Sequence, residues 1–215
     1  VWIPVVHLRG PVVMSEDEGG RSAKISAERV VPVLDALAKD EDCSAVVLAV
    51  NSPGGSALAS DLIARSVERL GEGRTVVAWF GDVSASGGYY ISALAHEIVA
   101  NPTTITGSIG VVGGKVVVGG AFARVGIHRE TVVAGPDVTM MGPWDRFTPD
   151  QEKRFRGSLV RVYDRFIDVV ARGRKMDPEA VHAVAEGRVW TGVQARERGL
   201  VDHLGGLDKA IERAA

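Results

Sequence analysis

Two glycine-rich segments contain the residues of this sequence that are best suited to chemistry. The first reads Asn-Ser-Pro-Gly-Gly at 51–55, and the second reads Ser-Ala-Ser-Gly-Gly-Tyr-Tyr at 84–90. Adjacent glycines let backbone N–H groups converge on a small anion, as in an oxyanion hole. Ser86 is predicted at the start of a helix, where the helix dipole favours a developing negative charge. Each segment alone is also typical of ordinary structure: a tight turn in the first, and an N-cap serine in the second.

The common patterns of hydrolase, metal and cofactor sites are missing from the sequence. Residues 84–88 depart from Gly-x-Ser-x-Gly at the first glycine. His96 would lie about 15 Å beyond Ser86 along a helix, too far to act as its base. The other histidines are scattered singly, and no His or Cys cluster has the spacing of metal ligands. Neither glycine segment matches a phosphate-binding or dinucleotide-binding loop, so we expect no metal and no organic cofactor.

The composition is that of a globular protein without a strong charge bias. The 215 residues are 46% hydrophobic and 24% charged, with a formal net charge of −2. This balance argues against nucleic acid as a partner. The single Cys43 cannot form an internal disulfide, and no run of about 18 to 20 apolar residues predicts a membrane span. The chain begins with Val1 rather than Met, so we expect a piece of a longer chain or a processed product.

Short β-rich runs alternate with helical stretches from one end of the chain to the other. This alternation predicts a single α/β domain over residues 1–215 with a largely parallel sheet. Residues 81–84 and 135–143 are interpreted as loops, and the Thr-Pro-Asp-Gln run at 148–151 as a capped helix start. We predict strands at 3–8, 11–14, 45–50, 75–80, 98–101, 109–112 and 116–118, and helices at 27–39, 57–70, 86–94, from 149, at 178–186, at 191–198 and from 207.

Taken together and in order, the motifs resemble the signal peptide peptidase A (protease IV) family, from about residue 2 to residue 213. They are Asn51-Ser-Pro-Gly-Gly55, Ala85-Ser-Gly-Gly-Tyr-Tyr-Ile-Ser92, Ile98-Val-Ala-Asn-Pro102, Thr106-Gly-Ser-Ile-Gly110, Gly187-Arg-Val-Trp-Thr-Gly192 and Gly199-Leu-Val-Asp202. The resemblance implies a crotonase-like fold related to Clp protease, with repeated β-β-α units and carboxyl-terminal helices. It also implies a membrane-associated serine peptidase on the extracytoplasmic side, which uses a Ser–Lys dyad to degrade leader peptides left after export.

The resemblance assigns roles to four residues of the candidate site. Ser86 would be the nucleophile, and the backbone N–H groups of Gly55 and Gly87 would form the oxyanion hole. Ser108 matches the family serine that hydrogen-bonds the lysine.

The general-base lysine of the family has no match in this chain. Single-length members carry it in a Gly-x-x-Lys stretch after the strand expected here at 130–134, where this sequence reads Gly135-Pro-Asp-Val138. Neither Lys115 nor Lys153 matches that motif. Double-length members take the serine from their carboxyl-terminal half and the lysine from their amino-terminal half. The chain therefore resembles such a carboxyl-terminal half.

These assignments imply peptide substrates, an amino-terminal half that supplies the lysine, and a homo-oligomer. We expect exposed apolar residues where this chain meets the other half or another subunit, around 109–120 and along part of the 155–166 helix. Two alternatives stay open at this point. One is a crotonase-type acyl-CoA enzyme that uses the same two donors for a thioester enolate, and the other is a non-catalytic scaffold half.

Overall fold

The computed structural model describes residues 1–18, 20, 22–135 and 137–215. These residues form two compact units. The first comprises Val1–Gly110 and Asp164–Ala215, and the second comprises Val111–Tyr163. The single domain expected over the whole chain stays a prediction. Within the described residues, no helix combines the length and the apolar character that crossing a lipid bilayer requires.

The first unit contains the strands and most of the helices. Its strands are β1 (Val5–Arg9), β2 (Val12–Val13), β3 (Ile25–Ser26), β4 (Ala45–Ser52), β5 (Thr75–Ala85), β6 (Glu97–Ala100), β7 (Ile105–Gly107), β8 (Val189–Thr191) and β9 (His203–Leu204). The helices of the described residues are α1 (Ala27–Lys39), α2 (Ala57–Gly71), α3 (Gly87–Ser92), α4 (Gly119–Arg124), α5 (Pro149–Arg174), α6 (Pro178–Val184), α7 (Gly192–Glu197) and α8 (Leu207–Ala214). Of these, α4 lies in the second unit, and α5 begins in the second unit and ends in the first.

A mostly parallel sheet forms the centre of the first unit, which confirms the predicted α/β class. Its strand order is β1-β4-β5-β6-β9, with β7 beside the far end of β5 and β8 antiparallel to β7. The strand β4 is apolar throughout residues 45–50 because both of its faces are covered. On one face, Ala45 and Val47 pack in a cluster with Ala210 and Ala214 of α8.

The strand β5 continues through residues 81–84, where the sequence analysis predicted a loop, so that prediction was wrong. The first part of β5 pairs with β4 and β6, whereas Val83–Ala85 pair with β7. The register of β4 against β5 shifts between Val50 and Ser52. The Asn51 side chain spans this irregularity, because its Oδ1 accepts from the Val83 N–H at 3.3 Å. Pairing with β7 thus extends β5 across Gly81, although glycine in a strand interior weakens the strand locally.

The second unit contains α4 and the beginning of α5. The predicted capped start of α5 is confirmed: the Thr148 hydroxyl accepts from the Gln151 N–H at 3.2 Å, and the Gln151 side chain accepts from the Thr148 N–H at 3.1 Å. The strands predicted at 109–112 and 116–118, and the one expected at 130–134, are absent from the described residues. Valines in these runs are exposed instead, Val112 by 97% and Val132 by 99%. β-branched residues favour strands where a neighbouring strand covers them, and no strand of the described residues covers these valines.

Candidate active site

Ser86 lies at the sharp junction between β5 and α3. Its backbone adopts φ 51° and ψ −120°, a conformation that is costly for a residue with a side chain. The Ser86 N–H donates to the carbonyl of Gly107 at 2.9 Å, which holds the junction in place. The side chain is half-buried, and its hydroxyl makes no hydrogen bond to a described residue. A strained serine between a strand and a helix is how nucleophilic hydroxyls are presented in other hydrolase folds, although the Gly-x-Ser-x-Gly pattern is missing here.

The turn at Gly54 and Gly55 packs its backbone directly against Ser86. A β-carbon at position 54 would lie 2.6 Å from the Gly87 nitrogen and 2.8 Å from the Ser86 Cβ. Gly54 also has φ +99°, so both close packing and backbone conformation require glycine there. The hydroxyl of Ser52 accepts from the Gly54 N–H at 3.1 Å and so stabilises the turn. The glycines of the first motif therefore serve a close backbone approach to the serine.

Strand β2 holds this turn in a way that leaves the Gly55 N–H unused. The Val12 N–H donates to the Gly54 carbonyl at 2.9 Å, and the Ser56 N–H donates to the Val12 carbonyl at 2.8 Å. These two bonds flank Gly55 without engaging its own N–H group. Gly87 is the first residue of α3, so its N–H has no partner within the helix. Among the described residues, neither N–H finds an acceptor.

The two unused N–H groups are close neighbours. A β-carbon on Gly87 would lie 3.2 Å from the Gly55 nitrogen. Because covalent geometry puts a β-carbon within about 3 Å of its own backbone nitrogen, the two nitrogens are at most about 6 Å apart. The structure thus brings Ser86, Gly55 and Gly87 together in the first unit. Two free donors beside a hydroxyl are the arrangement that holds the oxyanion of an acyl-transfer intermediate.

Ser108 lies next to Ser86 across the strand pair β5–β7. Gly107 pairs with Ala85, so the two serines follow paired residues at the carboxyl ends of neighbouring parallel strands. Ser108 has φ +48°, and its N–H donates to the carbonyl of Arg188 at 2.7 Å. Its side chain is half-buried and makes no hydrogen bond to a described residue. Ser108 therefore neighbours the candidate nucleophile across the paired strands, and its hydroxyl has no partner among the described residues.

A partly buried polar network that joins α2, α3 and α5 could not be found from the sequence. The Tyr90 hydroxyl on α3 donates to Asp61 on α2 at 2.8 Å, and Arg165 on α5 donates to the same carboxyl oxygen at 3.1 Å. Burial would raise the pKa of Asp61, but these donors hold it below its ordinary value. The local signal was an Asp61–Arg65 pair four residues apart on α2, joined at 2.7 Å. The partners from α3 and α5 are distant in sequence and could not be read from it.

No lysine hydrogen-bonds to Ser86 among the described residues. Lys115, in the second unit, donates to the Met140 carbonyl at 2.7 Å and lies 4.3 Å from the centre of the Phe147 ring. Val138, at the position where the resemblance would put the lysine, is 69% exposed. Among the described residues, Ser86 thus has the unengaged N–H groups of Gly55 and Gly87 nearby and no hydrogen bond to a lysine.

Comparison with known proteins gives a consistent family match. The model of peptidase family S49 matches residues 68–215, a span that includes Ser86 and Ser108. The chloroplastic serine protease SPPA of Arabidopsis thaliana is 38% identical over 188 residues, which cover 87% of this chain and 28% of that protein. Protease 4 of Salmonella typhi is 37% identical over 216 residues, which cover 99% of this chain and 34% of that protein. A putative signal peptide peptidase SppA of Enterococcus faecium is 37% identical over 180 residues, which cover 83% of this chain and 52% of that protein. The chain therefore spans between about a quarter and a half of these relatives.

Proposed function

Because the chain belongs to peptidase family S49, whose members share the crotonase-like fold of Clp protease, we propose that it is the serine-bearing, carboxyl-terminal half of a double-length signal peptide peptidase. The match to about a third of Protease 4 supports a half rather than a whole enzyme. The name of the Enterococcus relative supports leader peptides as substrates. Association with the membrane on its extracytoplasmic side belongs to the same proposal.

In the proposed mechanism, a lysine of the amino-terminal half acts as general base toward Ser86. Burial keeps this lysine neutral, because desolvation disfavours the charged ammonium. As its amine takes the hydroxyl proton, the Ser86 oxygen attacks the peptide carbonyl, and the N–H groups of Gly55 and Gly87 stabilise the oxyanion. The lysine returns the proton to the departing amine. A water molecule then hydrolyses the acyl-enzyme by the same route, with no metal or organic cofactor.

The observation that carries this proposal is the strained Ser86 beside two unengaged N–H donors. Strain of this kind costs of order 1 to 3 kcal/mol and persists where the surrounding structure enforces it. A structural serine at a helix start would cap the helix with its hydroxyl, and Ser86 does not. Ser108 supports the dyad further, because its free hydroxyl can hold the incoming lysine amine.

A partner surface for the missing lysine is supported by apolar side chains that the described residues leave uncovered. Val112, Val116 and Val132 of the second unit are between 77% and 99% exposed, and Val160 on α5 is 56% exposed. Interface cores are apolar and poor in charge, so these residues fit a surface that another half or another subunit covers. Ile109, which the sequence analysis grouped with them, is fully buried and lies outside this surface.

The test of this proposal is labelling and turnover by the full-length protein that contains this domain. We expect a serine-directed phosphonate to label the wild type and Ser44→Ala, a control that removes an exposed serine, but not Ser86→Ala. Cleavage of a leader-like peptide should follow the same pattern. Labelling of Ser86→Ala at the wild-type level would refute the nucleophile assignment. A full-length wild type that neither binds the phosphonate nor cleaves the peptide would support the scaffold alternative instead.

A further inference from the structure

The strand β1 forms an open edge of the central sheet. The residues on either side of β1 bond to β4: the Pro4 carbonyl accepts from the Val47 N–H at 2.9 Å, and the Gly10 N–H donates to the Asn51 carbonyl at 3.0 Å. In the parallel register, with Val5 opposite Val47, alternate residues of β1 between these two bonds face β4. Backbone groups of the intervening residues point away from β4, and no described residue pairs with them. These residues are Val5, His7 and Arg9. An edge of this kind is a template for an added strand.

A cavity of about 240 Å³ with both apolar and polar lining adjoins this edge, between β1, β3 and the start of α1. Ser26 lines the cavity and is 1% exposed, yet its hydroxyl has no partner among the described residues. Ser26 is the N-cap of α1 but does not cap it, because the Met14 carbonyl accepts from the Glu28 N–H instead. A buried hydroxyl that nothing uses costs free energy unless a ligand or water satisfies it. The apolar part of the lining consists of Val6, Leu8, Ile25, Val30 and Val33.

A second cavity, of about 440 Å³, shares His7, Lys24 and Arg29 with the first and is cationic. Its lining contains three basic side chains, Arg9, Lys24 and Arg29, against the single carboxylate of Glu16. The Lys24 ammonium is occupied by backbone carbonyls, those of Glu18 and Gly20 at 2.6 and 2.8 Å and that of Glu16. The exposed guanidinium groups of Arg9 and Arg29 make no hydrogen bond or ion pair with a described residue. The side chains of Arg9 and Arg29 are thus free to bind an anion in the second cavity.

We propose that this edge binds the carboxyl-terminal end of an extended, apolar peptide. The peptide adds to β1 in the parallel sense and bonds to the outward backbone groups of Val5, His7 and Arg9. Its apolar side chains enter the cavity beside Val6, and its terminal carboxylate reaches Arg9 and Arg29, because β1 ends at Arg9. Arginine suits a carboxylate because its planar donors match both oxygens.

This binding site is separate from the chemistry proposed for Ser86, and its test does not depend on turnover. The full-length protein carrying Ser86→Ala is titrated against a fluorescein-labelled hexapeptide that ends in Val-Ala-Leu with a free carboxylate. Fluorescence anisotropy gives its affinity and that of the same peptide as a carboxyl-terminal amide. Further variants add Arg9→Gln, Arg29→Gln or, as matched control, Arg196→Gln, which removes another exposed arginine without a partner in the described residues. A peptide N-methylated at alternate residues tests the backbone pairing.

We expect the amide and each of the Arg9 and Arg29 variants to bind about tenfold more weakly, the lower end of what one hydrogen bond to a charged group contributes. Arg196→Gln should bind as the parent does. N-methylation in the register that faces β1 should abolish binding, whereas the alternate register should retain it. Equal affinity for carboxylate and amide, or Arg9 and Arg29 variants that match the control, would overturn the proposal. Absence of binding at millimolar peptide would show that the arginines only protect an open strand edge, and would overturn it too.

Discussion

Replacing Gly87 by alanine tests the packing of the two candidate oxyanion segments. A β-carbon at this position would lie 2.6 Å from the Ser60 Oγ, and 3.2 Å from the Gly54 Cα and the Gly55 nitrogen. The Ser60 hydroxyl cannot turn away without loss, because it donates to the Ser56 carbonyl at 2.8 Å. Alanine must therefore push α2 and its preceding turn away from α3.

Two opposing effects determine how much Gly87→Ala changes the free energy of unfolding. Inserting a methyl group into a packed site costs about 1 to 3 kcal/mol. Alanine gains up to about 1 kcal/mol over glycine in a helix. The φ of Gly87 lies outside the left-handed region, so backbone strain adds nothing. We therefore expect Gly87→Ala to lower the free energy of unfolding by about 1 to 2 kcal/mol.

Ser60→Ala removes the nearest of the three contacts and supplies the partner variant for a double-mutant cycle. Alone it should cost about 1 kcal/mol or less, since it gives up one hydrogen bond and gains helix propensity. In its presence, Gly87→Ala should cost less than about 0.5 kcal/mol, which gives a coupling of at least about 0.5 kcal/mol. Urea unfolding of the four proteins measures these values. Gly73→Ala, where a β-carbon would meet nothing within 4 Å, is the control. Additive costs, or a Gly87→Ala variant as stable as the control, would refute this account of the packing.

Three further predictions concern catalysis, pH and helix capping. The isolated 215-residue chain should show no peptide turnover above its Ser86→Ala variant, since no lysine reaches Ser86 among the described residues; robust turnover would contradict the two-half assignment. Because the pKa of Asp61 is lowered on folding, its contribution is present above the ordinary carboxyl pKa and is lost as pH falls through the folded value. Asp61→Asn should therefore cost about 1 to 3 kcal/mol at pH 7 and unfold with a flatter acid dependence, and an unchanged dependence would contradict this. Thr148→Ala should lower stability by about 1 kcal/mol in thermal unfolding and Thr148→Ser should restore most of it, whereas equal losses would argue against the capping box.

Secondary structure could be predicted from the sequence where neighbouring residues alone determine it. The helix start at Thr148 needs only Gln151 three residues later, and both hydrogen bonds form. The continuous apolar run at 45–50 correctly predicted a strand that is buried on both faces. The glycines of both motifs indicated turns whose backbone N–H groups can converge on an anion, whereas the close packing of Gly54 against the Ser86 Cβ came only from the structure.

Features that depend on distant partners could not be predicted. The far end of β5 is a strand because β7 pairs with it, and β7 was not predicted at all. The valines at 112 and 116 have strand propensity but no partner among the described residues. The bond between Tyr90 and Asp61 joins two residues that are 29 positions apart on different helices, and nothing in either local sequence specifies it.

The first unit is formed by two separate stretches of the chain, so its parts leave the ribosome at different times. Its sheet is begun by residues up to Gly110, but the α8 residues that cover one face are made only after the whole second unit. At about 5 to 20 residues per second, the hundred or so residues from Gly110 to Ala214 take about 5 to 20 s to be translated. Throughout that interval the nascent chain presents Val47, Val77 and Val99 without their cover. Chaperones that bind apolar nascent segments therefore have seconds in which to engage this protein before its core can close.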